Sequence, residues 1–275
     1  MSVLAMCPLC ADDDDVEVVE DLSDGRQRVR HRCGYEWTHG AADVAKSRPA
    51  YTLDELRSRF PGPRDVDPKW LLRAEELKAE YLQREPGFDP AVSWTTYQQL
   101  FSTDGLWTCD PVDLWAFAND EAGAPPGDPS VFNAAWNEMG TEVAARYTRN
   151  TVDYLLRGPD DIPLEDRLQH LLSGTKPFSM PGFKEAMLTK VLCVVDAERF
   201  LPILEYTTEA GGKREIARLV YGLELPAPGT VDWTLGRLVV WSNDVLHALA
   251  GEGFANQEHA AAFLRWAKDQ AAGPS

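Results

Sequence analysis

Cys7-Pro8-Leu9-Cys10, Val16-Glu17-Val18-Val19, Asp24-Gly25, the basic segment from Arg26 to Arg32, and Cys33-Gly34-Tyr35-Glu36-Trp37 follow one another within the first forty residues. Val16 to Val19 alternates and is rich in β-branched side chains, which predicts a strand. Asp24-Gly25 tolerates positive φ and predicts a tight turn, so Arg26 to Arg32 is the returning strand of a hairpin. Zinc takes four nitrogen or sulfur donors in a tetrahedron, and Cys-x-x-Cys offers two thiolates from one small knuckle. Gly34, directly after Cys33, permits the tight backbone of a second knuckle. Cys7, Cys10 and Cys33 supply three donors; His31 on the return strand is the expected fourth, with His39 as the alternative. Forty residues cannot bury enough apolar surface unaided, so zinc binding here would be a folding event. Asp12 to Asp15 reads as a solvated loop, because four consecutive carboxylates do not converge on one cation.

This pattern resembles a zinc ribbon over about residues 5–40. The family pattern places a cysteine three residues before Cys33, where this chain has Arg30. The resemblance implies a module that grips a nucleic acid or another protein. Arg26, Arg28, Arg30 and Arg32 alternate and share one face of the return strand. They suit phosphates or an acidic partner surface; the competing expectation is that they pair across the hairpin with Asp12–Asp15 and Glu17.

After residue 40 the hydrophobic period becomes helical. Residues 41–66 carry Ala, Ser, Pro and Gly punctuation and read as a linker around Leu53 to Phe60. Asp67-Pro68 and Asp110-Pro111 are start signals of cap followed by N1 proline. Ser93 opens another helix. Asp128-Pro129 opens a long pattern that reaches Leu156, with a bend expected near Gly140. Further helices are expected over Pro163–Leu172, Pro181–Val195, Lys213–Tyr221, Trp233–Leu249 (capped by Thr230) and Ala260–Ala267 (capped by Asn256). The expected fold is therefore mainly α: a zinc ribbon (1–40), a linker (41–66) and a large all-α domain (67–275).

The helical part shows no recognisable catalytic motif. Glu76-Leu77-Lys78 has the Glu-x-Lys form of a nuclease site but lies in a helical stripe. Gly211-Gly212-Lys213-Arg214 precedes a helix; Lys213 and Arg214 could meet a phosphate there, or the segment is a turn with a basic helix start. His170, His247 and His259 are isolated, and surface or cap roles are expected for them. Lys190, inside an apolar run, is expected to snorkel to the surface. The nine tryptophans could stack on bases, although most sit at core spacing. Phe183 to Leu192, followed by Arg199-Phe200-Leu201-Pro202-Ile203, resembles helical regions of bacterial restriction-type defence proteins. That resemblance implies a recognition or scaffold role beside a separate nuclease or ATPase.

A net charge of −17 removes any global attraction to phosphate backbones, so nucleic acid would need a local basic patch. The longest apolar run, Val191 to Val195, is too short to span a membrane. Five cysteines, three of them in the metal pattern, together with an N-terminus unlike a secretory signal, predict a cytoplasmic protein. The expectation is a non-enzymatic recognition or scaffold protein in a DNA-transacting system. A protein-only adaptor, or an enzyme with a scattered site in the helical domain, is the alternative.

Overall fold

The computed structural model describes residues 16–23, 27–32, 36–39, 60–85, 93–122, 124, 128–208 and 211–272. The chain divides into two compact units, Met1–Leu53 and Asp54–Ser275. The architecture is mainly α with a small antiparallel β element near the N-terminus.

In the first unit, β1 (Val16–Asp21) pairs with β2 (Gln27–His31), and β2 pairs in turn with β3 (Glu36–His39). The first pairing sets Glu17 opposite Arg30 and Val16 opposite His31, with an irregularity between Val18 and Glu20. The predicted hairpin thus gains a third strand, with Trp37 opposite Val29. The expected second knuckle lies at Cys33-Gly34, outside the described residues, and Glu36-Trp37-Thr38 just after it suits a pleated ladder. Val29 and His31, two residues apart, are buried, whereas Arg28, Arg30 and Arg32 are exposed. That is the period of two expected of a strand with one covered face.

The second unit begins to pack before its first α-helix. Phe60 lies 4.2 Å from the Trp233 ring, and Val66 is buried beside a short 3-10 turn, Pro63–Asp65. Eleven α-helices follow among the described residues: α1 (Pro68–Arg84), α2 (Ser93–Leu100), α3 (Thr103–Thr108), α4 (Pro111–Asn119), α5 (Ser130–Met139), α6 (Thr141–Arg157), α7 (Leu164–Leu172), α8 (Glu185–Val195), α9 (Lys213–Tyr221), α10 (Leu235–Ala250) and α11 (Gln257–Ala272). The start signals act as expected where the cap is local. Asp67 accepts from the Lys69 N–H at 2.9 Å, Asp110 from Val112 at 3.0 Å, and Asn256 from His259 at 2.9 Å. Thr234, rather than Thr230, caps α10, accepting from Arg237 at 3.3 Å. Thr230 instead turns its hydroxyl back onto the Ala227 carbonyl. The long pattern from Asp128 breaks into two helices at Gly140, whose φ of +76° lies outside helical space.

Helix α8 is buried at every position from Met187 to Val194, so it is covered on all sides, Thr189 and Lys190 included. Helices α7 and α10 pack together, as do α9 and α11, while α6 lies against α4, α5 and α7. Arg237 of α10 clamps Asp166 of α7 through two hydrogen bonds of 2.7 and 2.8 Å. Asn243 of α10 holds the Arg199 carbonyl and the Leu201 N–H, which anchors the chain leaving α8.

Candidate functional site

Of the expected zinc donors, His31 is described and Cys7, Cys10 and Cys33 lie outside the described residues. His31 is 2% exposed, at the end of β2 and on the covered face with Val29. His39, the alternative donor, closes β3 opposite Gln27. Among the described residues, no three His, Cys, Asp or Glu side chains are grouped to hold a metal.

The arginine stripe is partly resolved. Arg26 lies outside the described residues. Arg28 contacts Glu20 at 3.2 Å, and Arg30 contacts Glu17 at 3.5 Å and hydrogen-bonds Glu36 through Nε at 2.7 Å. Arg32 is exposed at the end of the strand. Cross-strand pairing with Glu17 is therefore present, and Glu20 and Glu36 join it. The arginine side chains in these pairs remain about half exposed, 49% for Arg28 and 45% for Arg30. Solvent screens such exposed pairs, so they contribute little and a competing anion could displace them.

In the helical unit, Lys213 is not at the surface. It is fully buried, and its ammonium donates to the Val239 carbonyl at 3.1 Å. Burial pulls it down to about 8, against the opposing pull of Cys193, Glu185 and Asp244. A phosphate meeting the start of α9 would not reach it. Arg214 is half-buried and donates to the Leu225 carbonyl at 3.0 Å. Lys190 corrects the snorkelling expectation in the same way. It is fully buried and donates to the Phe117 carbonyl at 2.7 Å and to that of Asp120, at the C-terminal end of α4. Both lysines sit within helical stripes, and a sequence cannot tell a stripe that ends in solvent from one covered by another helix.

The three histidines of the body are each engaged. His170 Nδ1 bonds the Tyr154 hydroxyl at 2.7 Å, His247 Nε2 meets Gln257 at 2.9 Å, and buried His259 accepts the Ala255 N–H at 3.2 Å. Cys193 is sealed in the core, and burial pushes its thiol up to about 12, which leaves it inert as a nucleophile. Cys109 is half-buried and donates to the Leu106 carbonyl at 3.3 Å.

Two features were not legible in the sequence. The first is an aromatic groove of about 600 Å³ lined by Val112, Trp115, Asn133, Trp136 and Asn137, among others. Trp136 is buried, while Trp115 is 39% and Val112 56% exposed. Asn119 and Asn133 exchange reciprocal amide hydrogen bonds of 2.9 and 3.1 Å, which fix α4 against α5 and so set the groove's width. Trp107, on α3, is 49% exposed. Trp107 and Trp115 have the same helical context as the buried Trp94 and Trp136, so only the packing distinguishes them. The second is a cleft into which α8 delivers Glu185. Burial raises the Glu185 carboxyl, while the Tyr206 N–H and Lys213 oppose that shift.

No protein-family model matches the chain, and neither a curated protein nor a solved structure matches it.

Proposed function

We propose that this chain is a non-enzymatic recognition or scaffold protein that docks a protein partner in a DNA-transacting, defence-type system, beside a separate nuclease or ATPase subunit. The observation that carries the reading is exposed aromatic side chains on the helical unit: Val112 and Trp115 stand in solvent on a preformed groove, and Trp107 of α3 is half-exposed. Half-exposed tryptophan on a rigid helix is the side chain that most often anchors a protein interface. The charge of −17 and the glutamates beside Arg28 and Arg30 favour a protein over a phosphate backbone. The engaged histidines and the inert Cys193 also favour recognition over chemistry.

The N-terminal module is proposed as a zinc ribbon with Cys7, Cys10, His31 and Cys33 as ligands. Three thiolates and an imidazole form a donor set that zinc prefers, and His31, the described member, is buried two residues before Cys33. One equivalent of zinc per purified chain is expected, falling to a small fraction in Cys10→Ser and His31→Ala. A full equivalent retained by His31→Ala moves the fourth donor elsewhere.

The docking reading is tested by capture on the tagged full chain and on Trp107→Ala/Trp115→Ala, whose replaced side chains are surface-exposed. A stoichiometric protein partner held by the parent and lost by the double variant is expected. Equal retention by both refutes the aromatic surface. A second reading, nucleic-acid binding, is favoured by the adjacent exposed Arg28 and Arg30. It predicts retention of oligonucleotides that weakens with salt and disappears in Arg28→Ala/Arg30→Ala.

A further inference from the structure

From Glu85 to Ala145 the sequence holds ten Asp or Glu and no Lys, Arg or His. That span supplies helices α2 to α5 and the start of α6. Within it Asp104, Asp110, Asp113, Glu138 and Glu142 are exposed. A surface of one sign concentrates groups of the opposite sign and steers their approach.

The aromatic groove between α4 and α5 lies inside this span. Its described lining holds one carboxylate, Asp110, and neither Lys nor Arg. Asp110 caps α4 through Oδ1, and its other oxygen takes no hydrogen bond among the described residues. Exposed Glu138 and Glu142 directly follow the lining residues Asn137 and Thr141. The cations of neighbouring elements are committed elsewhere. Arg149 of α6 gives its guanidinium to the Leu106 and Cys109 carbonyls, and Lys190 is buried on those of Phe117 and Asp120. Lys184 lines a separate cleft with Asp128 and Val131, and half-buried Arg146 is not on the groove's lining.

Two kinds of recognition therefore coincide. Buried Trp136 with exposed Trp115 and Val112 rewards an apolar side chain that leaves water for the groove. An exposed indole on the same lining as a carboxylate also suits a guanidinium, through the ring face and through charge-assisted hydrogen bonds. An acidic segment would be repelled there, and a neutral one would gain nothing from the carboxylates.

We infer that the partner segment seated in this groove is basic, with an apolar side chain against Trp136 and flanking Arg or Lys side chains on Trp115, Asp110, Glu138 and Glu142. The inference rests on the docking role proposed for this surface and adds the chemistry of the partner.

The test is fluorescence anisotropy of three labelled peptides with the full chain. The first alternates Arg with Leu and Phe, the second replaces each Arg by Glu, and the third keeps Arg but replaces Leu and Phe by Ser. Saturable binding of the first is expected, with the second silent and the third weaker by about tenfold or more. Trp115→Ala should weaken the first peptide by about tenfold or more. The Asp110→Asn/Glu138→Gln/Glu142→Gln variant keeps a capping side chain on α4 and should show a shallower salt dependence than the parent. Shifts of the Trp115 and Trp136 indole N–H signals on titration place the peptide in the parent protein, whether or not a variant folds. The inference is overturned if the first peptide does not saturate, if the acidic peptide binds equally, or if those indole signals stay in place. It is also overturned if the Arg/Ser peptide binds as tightly as the first, because the acidic surface would then act without the groove. A captured partner that depends on Trp115, with no saturation by the basic peptide, removes this inference and leaves the docking role standing. Equal capture by the parent and by Trp107→Ala/Trp115→Ala removes the docking role itself.

Discussion

Lys213→Met should make the helical unit more stable at neutral pH. In the folded chain the Lys213 ammonium is held near 8, against 10.5 for the free side chain, because it is fully buried. The unfolded chain therefore binds this proton more tightly, and the folded state bears the difference at any pH below about 8. That cost diminishes as the pH rises from 8 to 10.5 and is gone above it. Two and a half pH units correspond to about 3 kcal/mol. The ammonium returns one hydrogen bond, to Val239 O, which the Ser242 hydroxyl also uses at 3.1 Å. Losing this charge-assisted bond, whose acceptor keeps the Ser242 hydroxyl, should cost about 1.5 kcal/mol. Methionine occupies a similar volume without charge, so the variant should gain about 1.5 kcal/mol at pH 7. Urea unfolding followed by tryptophan fluorescence, repeated from pH 7 to pH 10.5, measures it. The reasoning fails if Lys213→Met is the less stable protein at pH 7, or if its advantage stays constant across that range.

Lys190→Met should behave oppositely, although Lys190 is likewise held near 8 by burial. Its ammonium serves two carbonyls at the end of α4 and lies 4.6 Å from the Phe117 ring centre, so removal should destabilise by about 1–3 kcal/mol in the same urea assay. Gly182→Ala should cost more than about 2 kcal/mol and lower the thermal midpoint. Gly182 has φ +83°, and an added Cβ would stand 2.4 Å from the Phe132 backbone nitrogen, which cannot swing aside. Cys193 should resist thiol reagents in the native protein and react only after denaturation, whereas half-buried Cys109 should react first of the two; peptide mass spectrometry after timed labelling distinguishes them.

Features governed by short-range chemistry were legible in the residues alone. Asp67-Pro68, Asp110-Pro111 and Asn256 announced their helices because a cap needs only its own side chain and an N–H two or three residues ahead. The alternation of Val16 to Val19 and Arg26 to Arg32 announced paired strands for the same reason: period two is a property of the single strand. The mainly α class followed from the sustained helical period after residue 40. Everything that depends on what covers a face was set by packing between distant segments. Packing buried Lys190 and Lys213, left Trp107 and Trp115 in solvent, joined β3 to β2, and gave Arg28 and Arg30 their glutamates. It also brought Glu185, Glu205 and the α10 start to one cleft, although 50 residues separate Glu185 from Leu235. A helical stripe fixes which side chains point the same way. Whether water or another helix waits on that side is set by distant segments, and that choice governs the charge state of the buried lysines and the accessibility of the candidate sites.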